Sequence, residues 1–252
     1  MRRISFLDDN YPVRTVYTGW RDTLTLPDWR VPEARSAHLT AFLGTPLSDT
    51  VFAEETHSSH VRAVTAPHRA SEAAYDGAAG LKPGGCDALV TQVRGMLLCI
   101  WTADCLPLTL YDPMHHAAAM VHCGWRGIRG GIPQNTLIAM AERYGTDPGE
   151  VVAAIGPCIC ADCYEVGGEL REQFSPRYSK EEIHQIFRGR GDGKYLLDLR
   201  RAVTMQLEQA GVIPDRVHDI GICTFEDRDY PSFRRERKTE KGKQILSGIV
   251  LL

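Results

Sequence analysis

The strongest constraint in this sequence is a series of four short apolar segments, Ala88–Thr91, Met96–Trp101, Leu106–Tyr111 and Ala117–His122, separated only by turn-like connectors. Segments this short fall below ordinary helix length. Apolar strings bounded by turn signals read as strands buried on both faces. Gln92-Val93-Arg94-Gly95 joins the first two as a hairpin or as two adjacent buried strands, and Asp112-Pro113-Met114-His115-His116 turns the third back on the fourth. After Gly131 the spacing becomes helical: Leu137, Ile138, Met140 and Ala141 recur, with Asn135 or Thr136 as the expected cap and Asp147-Pro148 as the stop. Glu165–Phe174 and Leu199–Ala210 also suit amphipathic helices, the second ending before Gly211. Val151–Ile155, Val217–Cys223 and Ile245–Leu251 read as further strands. Strands and helices interleave without a regular βαβ period, so the expected fold is a mixed-sheet α/β or α+β fold rather than a doubly wound one.

The chain has 252 residues, enough to bury most of its apolar surface without disulfides or a structural metal. With no repeat and no convincing linker, one domain over 1–252 is expected; the Gly77–Gly85 stretch reads only as a loop. A net charge of −3 gives no general field for polyanions, so nucleic acid is not an expected partner. The N-terminus turns acidic at Asp8 and Asp9 before any apolar core of a secretory signal, and the apolar stretch from Gly95 to Tyr111 is broken by Asp104 and too short to span a bilayer. A cytoplasmic protein with no membrane partner is therefore expected, and its eight cysteines read as free thiols or metal ligands. Nothing in the sequence sets the oligomeric state.

Four constellations carry possible chemistry. Returning along a Leu106–His122 hairpin would bring His122 beside Cys105, a pairing that suits either part of a zinc site or a thiol nucleophile with a histidine base. A buried apolar thiol beside a hydrogen-bonded core histidine fits the spacing equally well. Glu55-Thr56-His57-Ser58-Ser59-His60 offers two histidines, either of which would complete a three-ligand set that leaves one position open. Cys158, Cys160 and Cys163 crowd a third segment; its C-x-x-C lacks a second knuckle, so Cys223 or a histidine would have to supply a fourth ligand. Tyr230–Lys238, with Lys241 and Lys243 beyond, is a basic run with aromatics in which Arg234 and Arg235, joined by Arg126, suit phosphate. The zinc nucleobase-deaminase pattern is absent, since no H-x-E triplet occurs. A multicopper centre is a poor fit, because only His115 and His116 are adjacent histidines.

Taken in order, Asp87-Ala88-Leu89-Val90-Thr91, Thr102-Ala103-Asp104-Cys105-Leu106-Pro107, Val121-His122-Cys123-Gly124-Trp125-Arg126-Gly127, Ile155-Gly156-Pro157-Cys158 running to Gly167, and Cys223-Thr224 with Ser232-Phe233-Arg234-Arg235 form a pattern. It resembles the laccase-domain family of purine nucleoside phosphorylases, also described as polyphenol oxidases, over roughly four-fifths of the chain. The resemblance implies a layered α/β/β/α fold and one zinc ion, rather than copper, on His57, Cys105 and His122. It further implies phosphorolysis of adenosine, inosine and 5′-methylthioadenosine, with adenosine deamination beside it, so the partners are a purine nucleoside and phosphate. Within that frame Arg126, Arg234 and Arg235 are the expected phosphate ligands, and Asp104 an acid or an orienting residue. Glu55 stands where the family usually has Gln, Cys123 replaces a common Ala, and Glu240–Lys243 replaces the usual Thr-Gly-Arg. Of the N-terminal Thr-Arg-x-Gly-Gly pattern, Thr18-Gly19-Trp20-Arg21 is all that remains. Two rivals stay open: a thiol hydrolase or deamidase with Cys105 as nucleophile and His122 as base, and a non-enzymatic zinc-binding interaction domain.

Overall fold

The computed structural model describes residues 1–19, 22, 32–65, 85–237 and 244–252, with backbone alone at 32–36. The Gly77–Gly85 stretch before its last residue, Trp20, Arg21 and the lysines 238, 241 and 243 lie outside the described residues. Strands β1 (Val13–Tyr17), β2 (Asp49–Phe52), β5 (Met96–Thr102) and β13 (Ile245–Leu251) form a four-stranded sheet in the order β1-β13-β5-β2. A six-stranded sheet is built from β3 (Val61–Ala63), β4 (Ala88–Thr91), β6 (Leu106–Asp112), β7 (Ala117–Cys123), β8 (Val152–Ile155) and β12 (Val217–Asp219), in the order β12-β8-β6-β7-β4-β3. Both mix parallel and antiparallel pairs: β2 runs parallel to β5, β3 to β4 and β12 to β8. A small third sheet joins β9 (Glu165–Gly167), β10 (Phe187–Gly191) and β11 (Lys194–Leu197).

The two-residue alternation of strands sorts the apolar side chains into layers. Met96, Leu98 and Ile100 of β5 meet Ala118 and Met120 of β7 between the two large sheets. Leu97 and Cys99 point the other way, onto Leu39 and Leu43 of helix α2 (Pro32–Leu43), which follows α1 (Ser5–Asn10). On the far side of the six-stranded sheet, Ala119, Val121 and Cys123 pack on α3 (Trp125–Gly130), α4 (Ile132–Tyr144) and later helical residues including Phe174, Ile183 and Val203. These belong to α5 (Gly168–Phe174), α6 (Lys180–Ile186) and α7 (Leu199–Gln209). The expected α/β/β/α layering is thus present.

Several sequence expectations shift. β4 and β5 do not pair with each other: β4 lies between β7 and β3, and β5 between β13 and β2. The connector turns the chain through Gly95 at φ +73° into the opposite sheet. α4 begins earlier than Asn135, because Pro133 is tolerated in a first turn and Gly131 takes the left-handed cap position. Asn135 instead donates to the Ser59 carbonyl at 3.1 Å, and Thr136 to that of Ile132 at 2.7 Å. The helix ends at Gly145, ahead of Asp147-Pro148. Glu165–Gly167 is strand, paired with β11, and only the residues after it are helical. The Val217 strand stops at Asp219, before Gly221 at φ +72°, and Cys223 contributes an isolated bridge to Cys158. The expected hairpin of β6 and β7, helix α7 and strand β13 are as read.

Candidate active site

His122 is the last residue of β7 on the face that carries Ala118 and Met120, so alternation alone turns its ring toward the four-stranded sheet. In the hairpin register Pro107 opposes His122, which leaves Cys105 just beyond the paired end of β6 and next to the imidazole. The turn carrying Cys105 takes the chain from β5 in one sheet to β6 in the other, with Asp104 held at φ +82°. His57 arrives from the loop before β3, also left-handed at φ +59°. Its ring lies 4.9 Å from that of His122, nearly perpendicular, and one donor atom from each of His57, Cys105 and His122 lies within 4.8 Å of the others. His57 is exposed at the rim, Cys105 is partly buried and His122 is buried.

Asp87, fully buried at the start of β4, organises this cluster. Its carboxylate accepts three consecutive backbone N–H groups, from Thr56 at 3.2 Å, His57 at 3.0 Å and Ser58 at 2.6 Å, and the Ser58 hydroxyl at 2.7 Å. That nest holds His57 in its unfavourable backbone conformation. The same carboxylate lies 2.7 Å from Nδ1 of His122. Burial opposes its charge, but the His122 and Ser58 hydrogen bonds outweigh burial and hold Asp87 down at about 2. An ionised acceptor requires Nδ1 of His122 to donate, which directs Nε2 toward Cys105. Burial also opposes charge on Cys105 and His122. Their mutual attraction prevails: His122, with His57, lowers the thiol, and Cys105 followed by Asp87 raises the imidazole. Gly124 completes the packing, since a Cβ there would lie 3.0 Å from the His57 ring and 3.3 Å from the Cys105 sulfur.

The cluster opens into a cavity of about 580 Å³ with aromatic walls from Trp101, Trp125, Tyr164 and Phe233, and with Glu55, Asp104, Arg126 and Arg234 at its edges. Glu55 accepts the Trp101 N–H at 2.7 Å, and burial raises its carboxyl above the ordinary range. Arg126 stacks on Trp125 at 4.2 Å, and Arg234 on Tyr164 at 5.3 Å. Two imidazoles and a thiol converging on one point are a donor set that fits a borderline-soft divalent ion.

A family model described as multi-copper polyphenol oxidoreductase laccase matches residues 29–251. The chain belongs to that family. Its relatives carry other names: a purine nucleoside phosphorylase of Bacteroides thetaiotaomicron is 41% identical over 175 residues, covering 66% of this chain and 61% of that protein. A purine nucleoside phosphorylase of Streptomyces coelicolor is 38% identical, covering 73% of this chain and 72% of that one. The protein named adenosine deaminase RL5, from an unknown prokaryotic organism, is 38% identical, covering 77% and 72%. The crystal structure of YlmD from Geobacillus stearothermophilus superposes with a TM-score of 0.78 at 26% identity, covering 95% of this chain and 91% of that one. The laccase family's description notwithstanding, no group of three histidines gathers among the described residues.

Of the residues singled out in the sequence, His57, Cys105, His122, Asp104, Arg126 and Arg234 meet in one cavity. His60 does not join them; its Nδ1 lies 3.4 Å from the Gly85 carbonyl. Arg235 is turned away from the cavity. Its guanidinium donates to the carbonyls of Thr224 at 2.7 Å, Phe225 at 2.9 Å and Tyr230 at 2.6 Å, so of the three expected phosphate ligands only Arg126 and Arg234 line the cavity. Asp104 accepts through both oxygens, from the Thr224 hydroxyl and the Arg234 N–H at 2.6 Å each. Cys123 faces the helical layer, away from the cluster. Asp87 was missed as a functional residue, although an acid directly before the apolar run Ala88-Leu89-Val90 is a visible signal.

Proposed function

We propose that this chain is a cytoplasmic, zinc-dependent purine nucleoside phosphorylase that cleaves adenosine, inosine and 5′-methylthioadenosine with phosphate. What carries the reading is the convergence of His57, Cys105 and His122 on one point of a cavity that also offers aromatic walls and two arginines. The relatives' names point to the same substrate class. Zinc suits the ligand set better than copper, because one thiolate with two imidazoles is a common zinc set while a multicopper centre needs many more histidines. When bound there, zinc supplies Lewis-acid stabilisation of charge on the reacting molecule.

The protein's own groups account for binding and positioning. A purine ring fits between aromatic faces such as Trp101, Trp125 and Tyr164. Phosphate must approach the anomeric carbon as the glycosidic bond loosens toward an oxocarbenium-like state, and Arg126 and Arg234 are the cations placed to hold it. Asp104 fixes the backbone of Arg234 and so positions that cation at the cavity. Adenosine deamination is a second activity of the same cavity, supported by the relative named adenosine deaminase.

The rival of a metal-free thiol hydrolase draws on the Cys105–His122 contact. His57 argues against it, because a nucleophile–base pair has no use for a third donor aimed at the same point. The test is incubation of the metal-replete protein with inosine or adenosine, with and without phosphate. Phosphate-dependent release of free base and ribose 1-phosphate is expected; release of neither product would end the phosphorylase reading.

A further inference from the structure

On the opposite side of the Asp104 turn lies a second set of metal-ligating side chains. Cys160-Ala161-Asp162-Cys163 winds through one turn of 3-10 helix, and Cys223-Thr224-Phe225-Glu226 forms a second turn beside it. The sequence shows one C-x-x-C and no second knuckle; the fold supplies it as C-x-x-E, with the same spacing. One donor atom from each of Cys160, Cys163, Cys223 and Glu226 lies within 4.8 Å of all the others, and the Cys163 sulfur is 3.6 Å from the Glu226 carboxylate. Four ligands around a tetrahedral zinc ion, with sulfurs about 2.3 Å from it, stand roughly 3.8 Å apart, so the set needs only a small contraction.

Two further features point to a cation. The Cys160 N–H donates to the Cys223 sulfur at 3.3 Å. A backbone N–H directed at a sulfur stabilises it as a thiolate. The Cys163 S–H points at the Glu226 carboxylate, so an ion that displaces that proton finds a thiolate and a carboxylate already facing each other. Arg200 lies on the Cys158 side of the cluster, with Nε 3.2 Å from the Cys158 sulfur and 3.4 Å from Asp219, and Arg188 is paired with Asp162 of the first turn. None of the eight cysteines is in a disulfide, so the C-x-x-C pair is available as two separate ligands.

We propose that Cys160, Cys163, Cys223 and Glu226 bind a second divalent ion of the zinc type, independent of the one proposed at His57, Cys105 and His122. Four protein donors leave no open position, so this ion is structural. It ties together two turns that the active site depends on. Tyr164, next to Cys163, forms cavity wall, and Thr224, next to Cys223, holds Asp104 at 2.6 Å. Arg235, spent on the Thr224 and Phe225 carbonyls, braces the second turn from outside.

Metal content of the full-length protein, purified under reductant and equilibrated with zinc, tests this directly. Two equivalents are expected in the wild type, one in Cys163→Ser and one in the His57→Ala/His122→Ala variant. With cobalt in place of zinc, the latter variant keeps intense sulfur-to-metal charge-transfer absorption from three thiolates, whereas Cys163→Ser loses most of it. Glu226 is exposed, so Glu226→Gln folds, and it weakens the second ion in competition with a chelating dye by about tenfold or more. A folded His57→Ala/His122→Ala protein that binds no equivalent, or a Glu226→Gln protein whose competition curve matches the wild type, overturns the proposal. Neither readout uses catalysis, so the outcome stands apart from that of the phosphorylase assay.

Discussion

Asp87 shows how much one buried carboxylate can decide. It takes the N–H groups of the His57 loop and Nδ1 of His122 at once, so two of the three proposed ligands are aimed by the same residue. Asp87→Asn keeps the shape but replaces one acceptor oxygen by an NH₂ group. The expected result is a drop in zinc affinity of roughly 10- to 100-fold, measured by chelator competition, with the stability loss of about 1–3 kcal/mol that follows from unmet buried groups. Affinity equal to the wild type would show that the His57 loop does not need its nest. Asp112 plays a similar part far from the site: it accepts the N–H groups of Met114 and His115 and pairs with the His115 ring at 2.9 Å, closing the β6–β7 turn. Burial opposes its charge, yet the hydrogen bonds from the His115 N–H and ring and from the Met114 N–H lower it from the ordinary carboxylate range. A carboxyl lowered in the folded state stabilises the fold above its unfolded value and ceases to do so as pH falls through the folded one. Asp112→Asn should therefore be less stable than the wild type by about 1–3 kcal/mol at neutral pH. That gap should narrow below about pH 4 in denaturant melts. A gap independent of pH would mean that the carboxylate charge plays no part.

Among the elements, the loop–helix junction after β7 is where glycine is required. A Cβ on Gly124 would press on the His57 ring and the Cys105 sulfur, whereas one on Gly127 would lie 2.8 Å from the backbone carbonyl of Ser58. The first collision is with the ligands and the second with the loop that carries one of them. Gly124→Ala should weaken metal binding while leaving the melting temperature within a few degrees. Gly127→Ala should lower stability by about 1–3 kcal/mol, the range for overpacking. Equal effects of the two on metal binding would separate neither role. The same junction shows what the sequence made legible. The hairpin of β6 and β7 could be read because its strands are nearly equal, its turn is rich in turn formers and its partners are adjacent in the chain. The choice of partner for β4 and β5 could not, since a continuous apolar strand is compatible with any neighbour and theirs lie elsewhere in the chain. Cys105 and His122 came together by local register alone. His57 was separable from His60 only through the family pattern, because what selects it is the nest on Asp87, thirty residues further along. Glu226 gave no signal at all until the fold set its turn against Cys160 and Cys163.

At the scale of the whole molecule, one proposed catalytic ligand comes from β7 of the six-stranded sheet and the other two from loops, β2–β3 and β5–β6, that cross from one large sheet to the other, so the site exists only once the sheets have packed. An ion that binds this arrangement and not the unfolded chain adds RT ln(1 + [L]/Kd), about 4.1 kcal/mol at a free concentration one thousandfold above Kd. For a chain of this size each kcal/mol moves the midpoint by about 2–4 °C, so one site is expected to raise it by about 8–16 °C. The three apolar layers do not involve either ligand set except at their edges, so chelation should leave the far-UV circular dichroism unchanged while the midpoint falls. Repeating the zinc titration on Cys163→Ser isolates the share of the His57–Cys105–His122 set, and repeating it on His57→Ala/His122→Ala isolates that of the second set. Each variant should retain part of the wild-type shift. If chelation removes the secondary structure, the metal is holding the core together; if zinc leaves the midpoint of the wild type unmoved, neither set of donors binds it.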